Sequence, residues 1–255
     1  MRKTALVTGA SSGIGKEFAT QLAALNYDLV VVARRENLLL ELQRELSNVR
    51  VVVFPKDLTA DNAVEDLIKF LAEARIQIDV LINNAGFGDY NRFDEADIAK
   101  LQHMIDLNVK VLTDLMYYFG KQMLYRTSGF ILNVASTAAF QPGPMMATYF
   151  ATKHYVLALS EAVACEWKDT GVSVTALCPG PTLSEFFDHA DMTGTKLMKS
   201  VKLPTSEEVA KFGLDRLFNK KTVAVHGGLN KLLIGLTKFV PRNIVTQMTA
   251  RALKS

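Results

Sequence analysis

The segment Tyr149-Phe150-Ala151-Thr152-Lys153 sets a phenol and an ammonium four residues apart. On a helix that spacing puts both side chains on one face, one turn from each other. A phenol is a weak acid, with an ordinary pKa of about 10. A nearby ammonium stabilises the phenolate and lowers that value. The pair can then give a proton to a developing alkoxide, or take one from an alcohol. A surface lysine packed over a core tyrosine has the same spacing. The acid–base reading therefore needs a carbonyl binder and a hydride source elsewhere in the chain.

The elements that must position this pair follow from hydrophobic periodicity. Short apolar runs at 5–7, 29–33, 49–54, 80–82, 130–134, 172–178 and 222–225 lack polar alternation, as expected of strands buried on both faces. Helical patterns at 14–25, 36–47, 60–74, 98–125, 147–170 and 206–219 alternate with them. Repeated β-α units predict an α/β fold: one domain with a doubly wound, parallel, seven-stranded, Rossmann-like sheet and helices on both faces.

The first βα turn is Thr8-Gly9-Ala10-Ser11-Ser12-Gly13-Ile14-Gly15. Gly9 permits a tight turn, and Gly13 and Gly15 let a pyrophosphate approach the amides that open the first helix. Ser11 and Ser12 are also ordinary helix-capping residues. A phosphate loop of the Walker A type is excluded. Five residues separate Gly9 from Gly15-Lys16, where four are needed, and Glu17 stands where Ser or Thr must follow. The second strand ends in Ala33-Arg34-Arg35, with no carboxylate at the position where an acid usually meets the ribose 2′-hydroxyl of NAD. Two guanidinium groups suit a 2′-phosphate, which points to NADP. The competing reading leaves both arginines solvated and gives the hydroxyl to Glu36. Asp57-Leu58 follows the third strand where an adenine edge would lie, and Asp57 is equally an N-cap. Asn83-Asn84-Ala85-Gly86 closes the fourth strand with small residues and amides, suited to a crevice or to a simple turn.

Taken together, these residues resemble the short-chain dehydrogenase/reductase family, from Thr4 to about Gly228. The resemblance rests on the Thr-Gly-x3-Gly-x-Gly turn, Asp57, Asn83 to Gly86, Asn108, Ser136, Tyr149-x3-Lys153 and Pro179-Gly180. It implies that Tyr149 is the general acid/base and that Lys153 lowers its pKa and binds the nicotinamide ribose. Ser136 would hydrogen-bond the substrate carbonyl oxygen. Asn108 would break a helical hydrogen bond and hold a proton-relaying water. For the cofactor it implies Gly9, Ser11, Ser12, Gly13, Ile14, Gly15, Arg34, Arg35, Asp57, Leu58, Asn84, Ala85 and Gly86, with Tyr149 and Lys153. Pro179, Gly180 and Thr182 would flank the nicotinamide. It also implies hydride transfer between NADP(H) and a carbonyl/alcohol pair, in a homodimer or homotetramer built on the helices of Asn108 and Tyr149.

Composition bounds the remaining classes. With 49% hydrophobic and 22% charged residues over 255 positions, the chain can bury one large core. A net charge of +3 without a dense Lys/Arg stripe gives no reason to expect a nucleic-acid partner. Cys165 and Cys178 are expected as free thiols. Neither they nor His103, His154, His189 and His226 have metal-ligand spacing, so no metal is expected. The apolar run after Met1-Arg2-Lys3 is too short for a signal peptide, and no stretch has the length of a transmembrane helix, so a cytoplasmic protein is expected.

Two regions are particular to this chain. Phe186, Phe187, Met192, Leu197 and Met198 in the 182–204 loop, with Phe87, Tyr90, Phe140, Met145 and Met146, either line an apolar pocket or pack the loop on the body. Residues 229–255 extend the 1–228 catalytic domain. From Arg216 onward there is no Asp or Glu, and apolar residues recur at helical spacing before Pro241. This basic tail is expected to pack over the pocket or a neighbouring subunit, the alternative being an anionic membrane. Three rivals to an NADP-dependent carbonyl reductase stand beside it: an NAD-preferring alcohol dehydrogenase, a 3-oxoacyl reductase, and a non-catalytic NADP-binding regulator.

Overall fold

The computed structural model describes residues 2–183 and 203–253. The expected pocket residues Phe186, Phe187, Met192, Leu197 and Met198 lie outside them. Seven strands form one sheet: β1 (Thr4–Thr8), β2 (Asp28–Ala33), β3 (Val51–Pro55), β4 (Val80–Asn83), β5 (Gly129–Val134), β6 (Val172–Cys178) and β7 (Val223–Val225). All pairings are parallel, in the order β3-β2-β1-β4-β5-β6-β7. The order reverses between β1 and β4, which opens a crevice at the strand C-termini, where ligands of such sheets bind. The doubly wound sheet expected from the apolar runs is present. β3 starts later than its apolar run suggests and ends on Pro55, which is tolerated because β3 is an edge strand.

Alternate residues of each strand feed two cores. Ala5, Val7, Val31 and Ile82 face α1 (Gly13–Ala24), α2 (Glu36–Glu45) and α7 (Ser206–Phe218). Leu6, Val30, Leu81 and Ile131 face α3 (Ala63–Glu73) and α5 (Leu112–Tyr125). The strands read as unbroken apolar runs because both faces are covered.

The helical pattern over 98–125 is one continuous run, but its middle is not α-helical. α4 (Ile98–Ile105) widens into a π-turn, Asp106–Val111, before α5. Asn108 sits inside this turn, a location typical of functional sites. α6 (Ala147–Glu166) buries Tyr149, Phe150, Thr152, Lys153, Val156 and Ser160 along one face. A polar chain anchors that face to the sheet. Asn83 Nδ2 donates to Asn133 Oδ1 at 2.9 Å, and Asn133 Nδ2 donates to Ser160 Oγ at 2.9 Å. In a dry interior such a chain fixes one register, though Asn83 Oδ1 is itself buried with no partner. Two further helices, α8 (Gly228–Thr237) and α9 (Arg242–Leu253), complete the described chain.

Candidate active site

The glycine-rich turn forms where β1 meets α1. Gly9 has φ +67° and Gly13 φ +54°, conformations that cost glycine little. A Cβ on Gly15 would lie 2.1 Å from the Gly9 carbonyl oxygen, so no other residue fits this approach. Ser12 is the N-cap of α1 but makes no side-chain cap bond. The amides at this helix start are thus left to an external acceptor, and the helix dipole favours an anion there.

Above the turn lies Arg35. Its Nη2 donates to Ser12 Oγ at 2.8 Å and to Ser11 Oγ at 3.1 Å. The two serines therefore hold a guanidinium at the mouth of the turn. Arg34 contributes elsewhere, its charge reaching Asp57. Burial would raise the Asp57 carboxyl, but hydrogen bonds from the Thr59 hydroxyl and amide outweigh it, helped by His103 and Arg34, and the pKa falls below the ordinary range. Asp57 Oδ1 accepts these bonds at 2.6 and 3.0 Å. The donor set thus fits a dinucleotide: open amides at a helix N-terminus for the pyrophosphate, and a held cation beside them.

Some residues named from the sequence act differently from the way their type suggests. Leu58 places its side chain in the core below the sheet, and Ile14 packs on the opposite core. Leu58 is buried and can offer a cofactor only its backbone, while Ile14 remains half-buried. Asn84 is turned inward: Nδ2 donates to the carbonyls of Thr8 at 3.0 Å and Gly9 at 3.3 Å. Thr8 Oγ1 in turn accepts from the amides of Asn84 and Ala85, both at 3.0 Å. Asn84 is a staple across the switch point. Asn84→Ala is expected to cost about 1–2 kcal/mol, since two neutral hydrogen bonds are lost. Thermal melts without nucleotide should show the loss; an unchanged melt would return Asn84 to a ligand role.

The acid–base residues meet at the C-terminal end of β5. Ser136 caps the 3₁₀ turn Thr137–Phe140, its Oγ accepting from the Ala138 amide at 3.1 Å. Its side chain also hydrogen-bonds Tyr149. Lys153 Nζ donates to the Val134 carbonyl at 2.8 Å and lies 5.7 Å from the Tyr149 ring centre. Asn108 is tied in from the π-turn. Its Oδ1 accepts from the Phe87 amide at 3.2 Å, and its Nδ2 donates to the Phe87 carbonyl at 3.0 Å and to Thr152 Oγ1 at 3.1 Å. A Cβ on Gly86 would lie 2.8 Å from Asn108 Oδ1 and 3.6 Å from Lys153 Nζ. The β4 loop therefore passes directly over the lysine.

Burial sets the protonation of this group. It pushes Tyr149 up to about 12, with the Ser136 hydrogen bond pulling the other way. It pushes Lys153 down to about 8. The spacing of the pair suggests a lowered phenol, and the structure shows the opposite. A charge is costly at this depth, and burial outweighs the Ser136 hydrogen bond.

On the far side, Pro179 O accepts from the Thr137 amide at 2.9 Å, and Thr182 Oγ1 donates to Gly180 O at 3.0 Å. Thr182 is buried. Gly180 packs against Asn230 of α8, whose Nδ2 a Cβ would meet at 2.6 Å. Tyr149 itself belongs to an apolar cluster with Leu101, Met104, Met146, Phe87, Tyr90 and Leu253. Phe140 packs in a separate cluster with Ala135 and Val156. Leu253 comes from the end of α9, and Tyr90 Oη donates to its carbonyl at 2.7 Å. The sequence places Thr8 and Thr152 inside their motifs without giving either a role, and it marks the tail as a possible cover of the pocket without singling out Leu253. The first two adjoin Gly9 and Lys153, so proximity could have marked them. Nothing local marks Leu253.

A doubly wound nucleotide-binding sheet that gathers Ser, Tyr and Lys at its crevice defines a class of dinucleotide-dependent oxidoreductases. The family pattern described as short chain dehydrogenase matches residues 3–193. A diacetyl reductase ((S)-acetoin forming) of Staphylococcus epidermidis is 31% identical over 206 residues, covering 80% of each chain. A short-chain dehydrogenase of Sphingobium yanoikuyae, solved with NADPH, superposes with a TM-score of 0.81 at 29% identity, covering 94% of this chain and 97% of the other. A bulky-bulky ketone specific alcohol dehydrogenase of Comamonas testosteroni gives 0.78 at 28% identity, covering 94% and 95%. The chain belongs to the short-chain dehydrogenase/reductase family and is an oxidoreductase with a nicotinamide cofactor. Among the described residues, no helix is long and apolar enough to cross a membrane, and no group of His, Cys, Asp and Glu could hold a metal.

Proposed function

We propose that the protein is an NADP-dependent carbonyl reductase, equally an alcohol dehydrogenase in reverse, acting on mainly apolar substrates. The observation that carries this is the hydrogen bond between Ser136 and the buried Tyr149, with Lys153 one turn away. When bound, NADPH would supply a hydride to the carbonyl carbon. Gly9 to Gly15 would hold its pyrophosphate and Arg35 its 2′-phosphate. The Ser136 hydroxyl donates to the carbonyl oxygen and fixes its position. Tyr149 gives its proton to that oxygen as the charge develops, and its weak acidity keeps the proton in place until then. The Lys153 ammonium then offsets the phenolate. Asn108 holds the β4 loop beside Lys153, where a relay water would complete the proton path. A cytoplasmic location suits NADPH-driven reduction.

This assignment fixes a pH profile. The ammonium is the form present below about 8. Reduction should be flat below that pH and fall as pH rises through it, while Tyr149 stays protonated until about 12. Lys153→Met should be slow at all pH values and lack the fall near 8. A wild-type profile that rises through pH 8 would contradict the role of Lys153.

Phe87, Tyr90, Met146 and Leu253 around Tyr149 support an apolar pocket. The related proteins act on both a small diketone and bulky ketones, so they favour carbonyl chemistry without setting size. Leu253→Ala should widen the pocket and shift kcat/KM toward bulkier ketones by roughly tenfold, the usual effect of a few methylene groups. A panel of aldehydes, aryl ketones, 3-oxoacyl thioesters and 2-oxo acids, run with NADPH and with NADH, tests the reading. Preference for apolar carbonyls with NADPH supports it; preference for charged oxo acids, or for NADH, sinks it.

The proposed assembly is a homodimer. Phe93, Ile105, Val109, Ala151 and Tyr155 line an open apolar groove of about 430 Å³ between the π-turn and α6. Phe93 is 70% exposed and Ile105 45%. A second copy packed on this groove would cover them.

A further inference from the structure

Helix α8 buries none of its residues. It nevertheless carries Leu229, Leu232, Leu233 and Leu236, spaced to form one stripe, each more than half exposed. Phe239, just beyond, is 88% exposed. α9 adds Ile244 and Met248 to the exposed apolar surface. The segment is not loosely attached. Asn230 Nδ2 donates to the His226 carbonyl at 2.8 Å and abuts Gly180, and Leu253 is anchored beside Tyr149. The stripe is thus held outward by a helix fixed at both ends of the segment.

The chain segment that carries the stripe has charge of one sign, although Glu208 of α7 lies within reach of His226, as does Lys231, whose ammonium sits over the Phe212 ring. Lys220, Lys221, Lys231, Lys238, Arg242 and Arg251 are all exposed, and no Asp or Glu occurs after Asp215. A second copy related by a two-fold axis would bring these same cations against themselves, with no acid in the segment to pair them. The groove beside α6 already offers a less charged apolar face for self-association. An apolar stripe flanked by Lys and Arg on a short helix suits the interface of an anionic bilayer, where the leucines enter the acyl boundary and the cations meet lipid phosphates.

We infer that α8 and the start of α9 dock the protein on anionic phospholipid membranes. The inference does not depend on the reaction assigned above. The test is co-sedimentation of the full chain with vesicles of phosphatidylcholine alone and of an equal mixture of phosphatidylcholine and phosphatidylserine. At least roughly tenfold more protein should pellet with the anionic vesicles, since each cation near such a surface favours binding. High salt should reverse most of it.

Two paired variants separate the contributions. Leu232→Asp with Leu236→Asp should lose binding, because the stripe no longer enters the acyl boundary. Lys231→Glu with Lys238→Glu should lose the preference for the anionic vesicles. All four side chains are exposed, so far-ultraviolet circular dichroism should match wild type. Equal pelleting with both vesicle types, or wild-type pelleting by the aspartate pair, would overturn the inference. So would an aspartate pair that dissociates a wild-type oligomer in sedimentation velocity while wild type ignores lipid; the stripe would then be a contact between copies.

Discussion

Tyr149→Phe is expected to lower kcat for carbonyl reduction by roughly 10²–10⁴-fold, the range attributed to a positioned general acid. The ring remains, and with it the contacts to Phe150, Met146 and Leu253. Only the hydroxyl is removed, together with its hydrogen bond to Ser136. The melting temperature should therefore change by no more than a few degrees, since a single neutral hydrogen bond is worth about 1 kcal/mol. Binding of NADPH, followed by quenching of Trp167 or by nucleotide fluorescence, should survive. Loss of turnover with retained binding and fold is the signature of a removed proton donor. Turnover within a few-fold of wild type would transfer the acid role to another group.

Arg35→Ala should raise the KM for NADPH by roughly 10–100-fold and leave that for NADH nearly unchanged. The 2′-phosphate is the only difference between the two nucleotides. Hydrogen bonds to a charged group are worth about 1.5–3 kcal/mol, which converts to that factor. Arg34→Ala should act more weakly, because the guanidinium held at the glycine turn by Ser11 and Ser12 is that of Arg35. The contrast between the two variants is informative. Both arginines stand at the end of β2 and look equivalent in the sequence. Only Arg35 is seen bonded to Ser11 and Ser12. A larger effect of Arg34→Ala would reverse their assignment.

The sheet was legible because strands covered on both faces must read as apolar runs, and these do. The strand boundaries shifted by a residue or two where an edge allowed it, as at Pro55. The glycine turn was legible for a steric reason, since Gly15 has no room for a Cβ. The helix spanning Asn108 was also legible, but its π-turn was not; periodicity over 98–125 does not distinguish a five-residue from a four-residue hydrogen bond. The inward turn of Asn84 was hidden because an amide suits a ligand and a staple equally. The direction of the Tyr149 shift depends on burial, which spacing alone does not report. Leu253 was beyond reach for a different reason. It meets Tyr90 across 163 positions of chain, and only the tertiary fold brings them together.

The proposed reaction moves a hydride to a carbonyl carbon in this crevice while Tyr149 supplies the proton. Its most direct test supplies NADPH deuterated at the reactive nicotinamide carbon to the wild-type protein with an aryl ketone, and analyses the alcohol by mass spectrometry. Deuterium is expected on the carbinol carbon, and none of that alcohol from Tyr149→Phe on the same timescale. Tight NADPH binding with no deuterium in any product of the carbonyl panel would contradict it, and would leave the site a nucleotide binder without this reaction.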